Sequence, residues 1–231
     1  MAAALDVKIE KVQHSRLANT TLENIPFGRV FTDHMLEADY IDGAWTNVVI
    51  RPYQPLQFDP SLAALHYGQS IFEGVKAYKN EAGEVNIFRP QDNFRRFNIS
   101  AARMCMPAVP ENIFLEGMRQ LIDIDRDWIP ALADHSMYIR PFMFATDPVI
   151  GVKPSDTYKF MILLSPTGPY YSAPMKIYVE ERIHVQLLVA LDLQKMQVTM
   201  VVVCWLRKKQ KKRVTIRCYG PMLLNISIYK K

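Results

Sequence analysis

The chain has 231 residues, of which 49% are hydrophobic and 22% are charged, with three cysteines and a formal net charge of +5. This composition is ordinary for a globular protein of one large or two small domains. It excludes a membrane span and a disulfide framework, and the charged N-terminal segment lacks the apolar core of a secretory signal. We therefore expect a cytoplasmic protein with no metal site, no nucleic-acid partner and no membrane partner.

The positive charge is confined to the C-terminal fifth of the chain. From His184 onward there are ten Lys or Arg residues and a single acidic one, which leaves eighteen basic and twenty-two acidic residues in 1–183. The body is therefore mildly acidic, near −4, and the tail is near +9. The basic run 207–213 leaves one alternative open, a binding module whose tail contacts nucleic acid or an anionic membrane.

The first part of the chain has the pattern of short strands. Residues 29–40 and 46–58 flank the turn signal at 41–43, which is typical of a hairpin. Asp59 followed by Pro60 predicts the start of a short helix over 61–69. Two further strands are expected at 74–80 and 85–90.

Two helices and two more strands follow. The helices are predicted over 90–104 and from Pro110 to about residue 129, because apolar side chains of the second fall on one face. Those side chains are Phe114, Met118, Leu121 and Ile122. Apolar runs at 136–146 and 158–167 suit buried strands. This order predicts an α/β fold, an α+β layered domain, with residues 167–169 as the best linker.

Three features carry possible chemistry, and each has a plainer interpretation. Asp33 and His34 are half of a catalytic pair or, more simply, a structural pair at a strand end. Arg89 lies between a strand and a proline-started helix, a good place to meet a phosphate, although a surface ion pair is the commoner role. Arg140 sits within an apolar strand, where an unpaired charge is costly. Spacing alone therefore predicts no reaction.

Four segments together resemble branched-chain-amino-acid aminotransferases, which are fold-type IV pyridoxal-phosphate enzymes. They are FGRVFTDHML (27–36), LHYGQSIFEGVKAY (65–78), IFRPQDNFRRFNISAARMCMP (87–107) and MYIRPFMFATDPVIGV (137–152). The resemblance covers about residues 15–182. It implies transfer of an amino group between Leu, Ile or Val and 2-oxoglutarate, with pyridoxal 5'-phosphate as cofactor, in a homodimer.

The resemblance also implies roles for individual residues. Arg89 would hold the cofactor phosphate. Aromatic and aliphatic side chains would form a dry pocket for the branched substrate side chain, which suits such a ligand. The implied substrate-site residues are Phe27, Tyr67, Phe72, Tyr138, Arg140, Val152 and Tyr170.

The resemblance stops after about Glu181. The family's Schiff-base lysine lies in a glycine-rich segment, and here Lys195 stands near that position without glycine neighbours. Reading the coding sequence one base earlier changes this: the last base of the Met200 codon and the first two of the Val201 codon must spell glycine. With suitable third bases, residues 192–203 become GFAKNAGNYGGS. We therefore expect a change of reading frame near Arg182, which makes Lys195 an off-frame equivalent of the Schiff-base lysine.

Three segments are expected on these grounds. Residues 1–168 form the N-terminal α/β domain, 169–182 form the interdomain linker and the start of a second domain, and 183–231 form a non-homologous tail. Most of the second domain would then be missing. The chain as written would be inactive or nearly so, and its retention of the cofactor is in doubt.

Overall fold

The computed structural model describes residues 7–23 and 25–169. Eight strands of this part form one sheet: β1 (Lys8–Ile9), β2 (His34–Ile41), β3 (Ala44–Pro52), β4 (Ser70–Phe72), β5 (Val75–Lys79), β6 (Val85–Ile87), β7 (Ser136–Ala145) and β8 (Tyr158–Thr167). Their order is β1-β3-β2-β8-β7-β5-β6, and β4 pairs with β7 beside β5. All these pairs are antiparallel except β1 with β3.

Helices lie in three places along the described chain. The α-helices are α1 (Ala63–Tyr67), α2 (Pro90–Arg103) and α3 (Gly117–Ile124), with a π-helical turn at Asn112–Glu116 directly before α3. Short 3-10 turns occupy Arg16–Asn19 and Arg126–Trp128. No helix of the described residues is long and apolar enough to cross a membrane.

The main core lies between the sheet and the helices. Strand β7 sends Met137, Ile139 and Met143 to this side, where all three are fully buried. The four apolar side chains predicted on one face of the second helix are also buried there, with Phe114, Met118 and Leu121 fully excluded from solvent. Since side chains alternate across a strand, the next residues of β7 must face the opposite side of the sheet.

The opposite side of the sheet is more thinly covered. A smaller apolar cluster lies there, built on Met35, Leu62, Phe144 and Met161. Residues Tyr138, Arg140 and Phe142 alternate with the core residues of β7 and are only partly buried. The candidate site is assembled on this side.

Several boundaries differ from the sequence predictions: the strand predicted to end at Phe58 ends at Pro52, and the helix predicted to about residue 129 ends at Ile124. The first long strand begins at His34 and not at Arg29, because Arg16 donates hydrogen bonds to the carbonyls of Phe31 and Thr32 and holds that stretch outside the strand. The predicted helix over 61–69 is shorter, five residues long, and ends at Gly68 in the left-handed conformation with φ of 67°. The predicted start at Asp59 and Pro60 is wrong: the helix begins at Ala63 after Leu62, without a side-chain cap, and the Asp59 carboxylate accepts from the N–H of Ser61 in the turn before it.

Strand β4 was not predicted, and its position matters for the site. Phe72 of β4 pairs with Phe142, and Val75 of β5 pairs with Ile139 on the same edge of β7. Residues Glu73 and Gly74 form the break between the two strands. Pro141 lies opposite this break and has no N–H to continue the ladder, although its carbonyl accepts from the N–H of Glu73 at 2.8 Å.

Candidate active site

Four of the predicted pocket residues meet on the open side of the sheet. Phe27 contacts the ring of Tyr138 edge-on, with ring centroids 4.9 Å apart. The guanidinium of Arg140 lies 4.4 Å from the ring centroid of Phe72 and 5.3 Å from that of Tyr138. Its Nε also donates to the Tyr138 hydroxyl at 3.1 Å. We call Phe27, Phe72, Tyr138 and Arg140 the aromatic cluster.

The arrangement of the cluster follows from strand geometry. Tyr138 and Arg140 are two residues apart on β7 and so point to the same side. Arginine over an aromatic face gains from the negative charge of the ring face, and it keeps its hydrogen-bond donors in the plane for a partner. Burial raises the pKa of the Tyr138 hydroxyl above its ordinary value, with the neighbouring Arg140 acting in the other direction. The hydroxyl is therefore a neutral hydrogen-bonding group at pH 7.

Gly74 allows Tyr138 to approach the strand break. A Cβ on Gly74 would lie 2.6 Å from the Tyr138 hydroxyl and 3.1 Å from its ring. A side chain at position 74 would therefore force the tyrosine ring to shift, and glycine leaves it in place. The strand break and the aromatic cluster are thus built together.

Arg89 lies where the sequence predicted but is turned toward its own helix. It precedes Pro90, the first residue of α2, and adopts a left-handed conformation with φ of 48°. This backbone is uncommon for a residue other than glycine. Its Nε donates to the Asp92 carboxylate at 2.6 Å, and the side chain is 68% exposed.

A second arginine of α2 is more deeply placed. Nε and Nη2 of Arg96 donate to the two carboxylate oxygens of Glu73 at 2.5 and 2.7 Å. Glu73 is completely buried. These hydrogen bonds raise the pKa of Arg96 above its ordinary value. Arg96 therefore carries a permanent positive charge at the strand break, with Nη1 on the side away from Glu73.

Arg96 was not predicted from the sequence. It is adjacent to Arg95 in α2, and nothing in the local pattern distinguishes the two arginines. The signal that would have found it is the acidic residue of the segment IFEG. This carboxylate is buried in the structure, and a buried carboxylate needs a cation. Asn93 lies one turn earlier on the same face, and its side-chain amide donates to Glu73 at 2.9 Å.

The remaining predicted residues are not part of the cluster. Tyr67, at the end of α1, is 41% exposed and contacts the ring of His66, and Val152 is 96% exposed. The loop that carries Val152 is organised by Asp147, which accepts from the N–H groups of Asp156 and Thr157. Tyr170 and Lys195 lie outside the described residues, as does the basic run 207–213.

The Asp33 and His34 pair has structural contacts, and both imidazole nitrogens of His34 are engaged in them. His34 Nε2 accepts from the N–H of Val12 at 3.0 Å, so Nδ1 donates to Asp125, 2.6 Å away. The Asp33 carboxylate accepts from Ser15 at 2.5 Å and from the Trp128 indole at 2.9 Å. These contacts tie the N-terminal segment to the core. Among the described residues, no group of three or more His, Cys, Asp or Glu side chains is placed to hold a metal.

Known proteins resemble the chain in sequence. A probable branched-chain-amino-acid aminotransferase of Staphylococcus epidermidis is 49% identical over 180 residues, which are 76% of this chain and 50% of that protein. Branched-chain-amino-acid aminotransferase 2 of Bacillus subtilis is 51% identical over 160 residues, 68% of this chain and 44% of that protein. The chain is homologous to branched-chain-amino-acid aminotransferases.

This homologue spans about half the length of the curated aminotransferases it matches. No protein-family profile matches it. The Escherichia coli branched-chain amino acid aminotransferase shares its fold with a TM-score of 0.59 at 20% identity, covering 78% of this chain and 58% of that one. The Thermoproteus uzoniensis branched-chain aminotransferase with norvaline gives 0.56 at 17% identity, covering 76% and 57%. The predicted α/β layer of a fold-type IV aminotransferase is thereby confirmed for the described residues.

Proposed function

We propose that the described layer is the part of a branched-chain amino acid:2-oxoglutarate aminotransferase that binds the cofactor phosphate and the substrate side chain. The observation that carries the proposal is that the Arg96 guanidinium, held by the buried Glu73, and the aromatic cluster lie at one strand break. Solved relatives support it, since branched-chain amino acid aminotransferase structures of this fold are described with pyridoxamine 5'-phosphate and with 4-methylvaleric acid. One compound is a phosphorylated cofactor and the other is a branched aliphatic acid, and these are the two kinds of ligand that the proposed site would bind.

The described residues fit the phosphate of pyridoxal 5'-phosphate. A phosphate needs fixed donors with positive charge, and a planar guanidinium provides both. Arg89 and Arg96 are the two candidates on α2. We favour Arg96, because Glu73 fixes its orientation from a fully buried position, whereas Arg89 is bound to an exposed carboxylate of its own helix.

Arg96 and each side chain of the aromatic cluster have a definite task in this proposal. Arg96 binds the phosphate, and Phe27 and Phe72 exclude water from the substrate side chain. Arg140 holds the Tyr138 hydroxyl in place, and that hydroxyl positions a polar atom of the substrate. When bound, pyridoxal phosphate supplies the carbonyl that takes up the amino group and the ring that accepts electrons. The protein contributes binding, orientation and exclusion of solvent.

We also propose that the protein is a cytoplasmic homodimer in which Tyr67 and Val152 serve the pocket of a second copy. Their exposure in one chain supports this, because the resemblance implies that both side chains contact the substrate, whereas in a single copy Tyr67 is 41% and Val152 96% exposed. Sedimentation equilibrium tests this. We expect twice the mass of the chain for the wild type and a monomer for Val152→Arg, while a wild-type monomer at all concentrations would contradict it.

We further propose that residues 183–231 result from a change of reading frame near Arg182. The support is the recovered segment GFAKNAGNYGGS, which combines a lysine with several glycines. Residues 192–203 as written contain Lys195 and no glycine. In the chain as written Lys195 has no glycine neighbours to set the backbone of the lysine segment. The expected consequence is loss of turnover with binding of the phosphate retained in weakened form.

The experiment that tests the proposed function compares ligands that differ by the phosphate alone. Titration calorimetry of the 231-residue chain should show tighter binding of pyridoxamine 5'-phosphate than of pyridoxamine. A charge-assisted bidentate contact is worth about 1.5–3 kcal/mol, or about ten- to a hundredfold in affinity. Equal affinity for the two compounds would contradict the proposal.

A further inference from the structure

Glu73 joins three parts of the molecule at the break between β4 and β5. Its carboxylate accepts two hydrogen bonds from Arg96, one from Asn93 at 2.9 Å and one from the N–H of Gly74 at 3.3 Å. Its own N–H donates to the Pro141 carbonyl. The residue therefore connects helix α2, the strand break and strand β7.

A carboxylate in this position is costly unless its partners are fixed. Moving an ion out of water costs several kcal/mol even after relaxation, and removal of one partner of a buried pair leaves an uncompensated charge. Asn93 and Arg96 are three residues apart on α2 and so lie on one helix face. Because both bind the same carboxylate, the orientation of that face relative to the sheet is set by Glu73.

The neighbours of Glu73 in the sequence belong to the aromatic cluster or touch it. Phe72 lies under the Arg140 guanidinium, and Gly74 lies against the Tyr138 hydroxyl. Glu73 is therefore connected to the Arg96 guanidinium by hydrogen bonds and to the aromatic cluster through its chain neighbours Phe72 and Gly74. The Arg96 guanidinium thus takes its orientation from the same residue that fixes the strand break.

We infer that Glu73 is a positioning residue, which aims the Arg96 guanidinium at the phosphate and holds this cation in register with the aromatic cluster. The inference rests on the proposed function and deepens it. Glutamate is required because two anionic oxygens match the two N–H donors of Arg96. Glutamine offers one acceptor and a competing NH2 group, and aspartate is one methylene too short to keep the same contact.

The test uses the 231-residue chain and the ratio of its affinities for pyridoxamine 5'-phosphate and pyridoxamine. Glu73→Gln should lower this ratio about tenfold, since one charge-assisted contact is disturbed, and should leave pyridoxamine binding unchanged. The matched control is Glu37→Gln. Glu37 is also a buried carboxylate bound to an arginine, Arg51, at 2.9 Å, on a different part of the sheet. The ratio of the two affinities measured for Glu37→Gln should equal that of the wild type.

Two further results decide the inference. Glu73→Asp keeps the charge and replaces Glu73→Gln in the test if that variant does not fold. Its affinity for pyridoxamine 5'-phosphate relative to pyridoxamine should also fall. A folded Glu73 variant with the wild-type ratio would overturn the inference while the proposed function stands. A wild-type chain that binds both compounds equally would overturn the proposed function and the role of Glu73 with it.

Discussion

Gly74 and Tyr138 are in contact so closely that a Cβ at position 74 would lie 2.6 Å from the tyrosine hydroxyl. The tyrosine cannot easily retreat, since its ring also contacts Phe27 and its hydroxyl accepts from Arg140. Glycine at position 74 thus lets the strand break and the tyrosine pack together without displacement.

We predict that Gly74→Ala destabilises the fold by about 1–3 kcal/mol, the usual cost of forcing extra atoms into a packed position. Adding Tyr138→Phe should recover part of this loss, because the nearest clashing atom is then removed. Urea denaturation of the two single variants and the double variant measures the coupling. Additive effects in that cycle would show that the two residues do not interact as described.

Asp33 gives a prediction for the dependence of stability on pH. Burial would raise the pKa of Asp33, but hydrogen bonds from Ser15, Arg16 and Trp128 outweigh this and lower it below the ordinary value. Because the pKa is lowered on folding, the ionised Asp33 contributes its full stabilisation of the fold above the ordinary pKa of an aspartate, about 4. This contribution is lost as the pH falls through the lowered pKa of the folded state.

Asp33→Asn should therefore cost about 2–4 kcal/mol at pH 7, and the difference from the wild type should shrink below about pH 4. Glu116→Gln is the control. The pKa of Glu116 is lowered to about 2 by hydrogen bonds from Arg119 and Gln120, but the pair is exposed, so the change should be about 0–1 kcal/mol. A pH-independent effect of Asp33→Asn would contradict this account of the carboxylate.

The proposed change of reading frame predicts an inactive chain. Purified 231-residue protein should not transaminate leucine with 2-oxoglutarate, because Lys195 lacks the glycine-rich backbone of the lysine segment. Robust turnover by the 231-residue protein would refute the loss of activity. Sequencing the DNA around the Arg182 codon separates the two origins of the change: one base more or fewer than the chain as written requires means an error in that reading, and DNA that encodes the chain as written means that the gene itself carries the change.

Much of the fold was predictable because hydrophobic periodicity is a local signal. The buried face of the helix around Phe114 and Met118 follows from spacing, and so do strands β7 and β8. Strand β4 was not predictable in this way. It is three residues long and is separated from β5 at the place where Pro141 of the distant strand β7 interrupts the ladder.

The same distinction between local signals and distant contacts applies to the residues of the site. Phe27, Phe72, Tyr138 and Arg140 were predicted from the resemblance, and the structure brings them into contact. Arg96 was missed, since its role depends on Glu73, twenty-three residues away and buried only in the folded sheet. Tyr67 and Val152 lie apart from the cluster in one chain, and a single sequence does not tell which copy a side chain serves.

The most direct test of the central claim is a comparison of the two arginines of α2. The measurement is the affinity of the 231-residue chain for pyridoxamine 5'-phosphate relative to pyridoxamine. We predict that Arg96→Gln lowers this ratio about ten- to a hundredfold and that Arg89→Gln, which removes an exposed ion pair, leaves it near the wild-type value. A ratio unchanged by Arg96→Gln and abolished by Arg89→Gln would contradict the account and return the phosphate to Arg89.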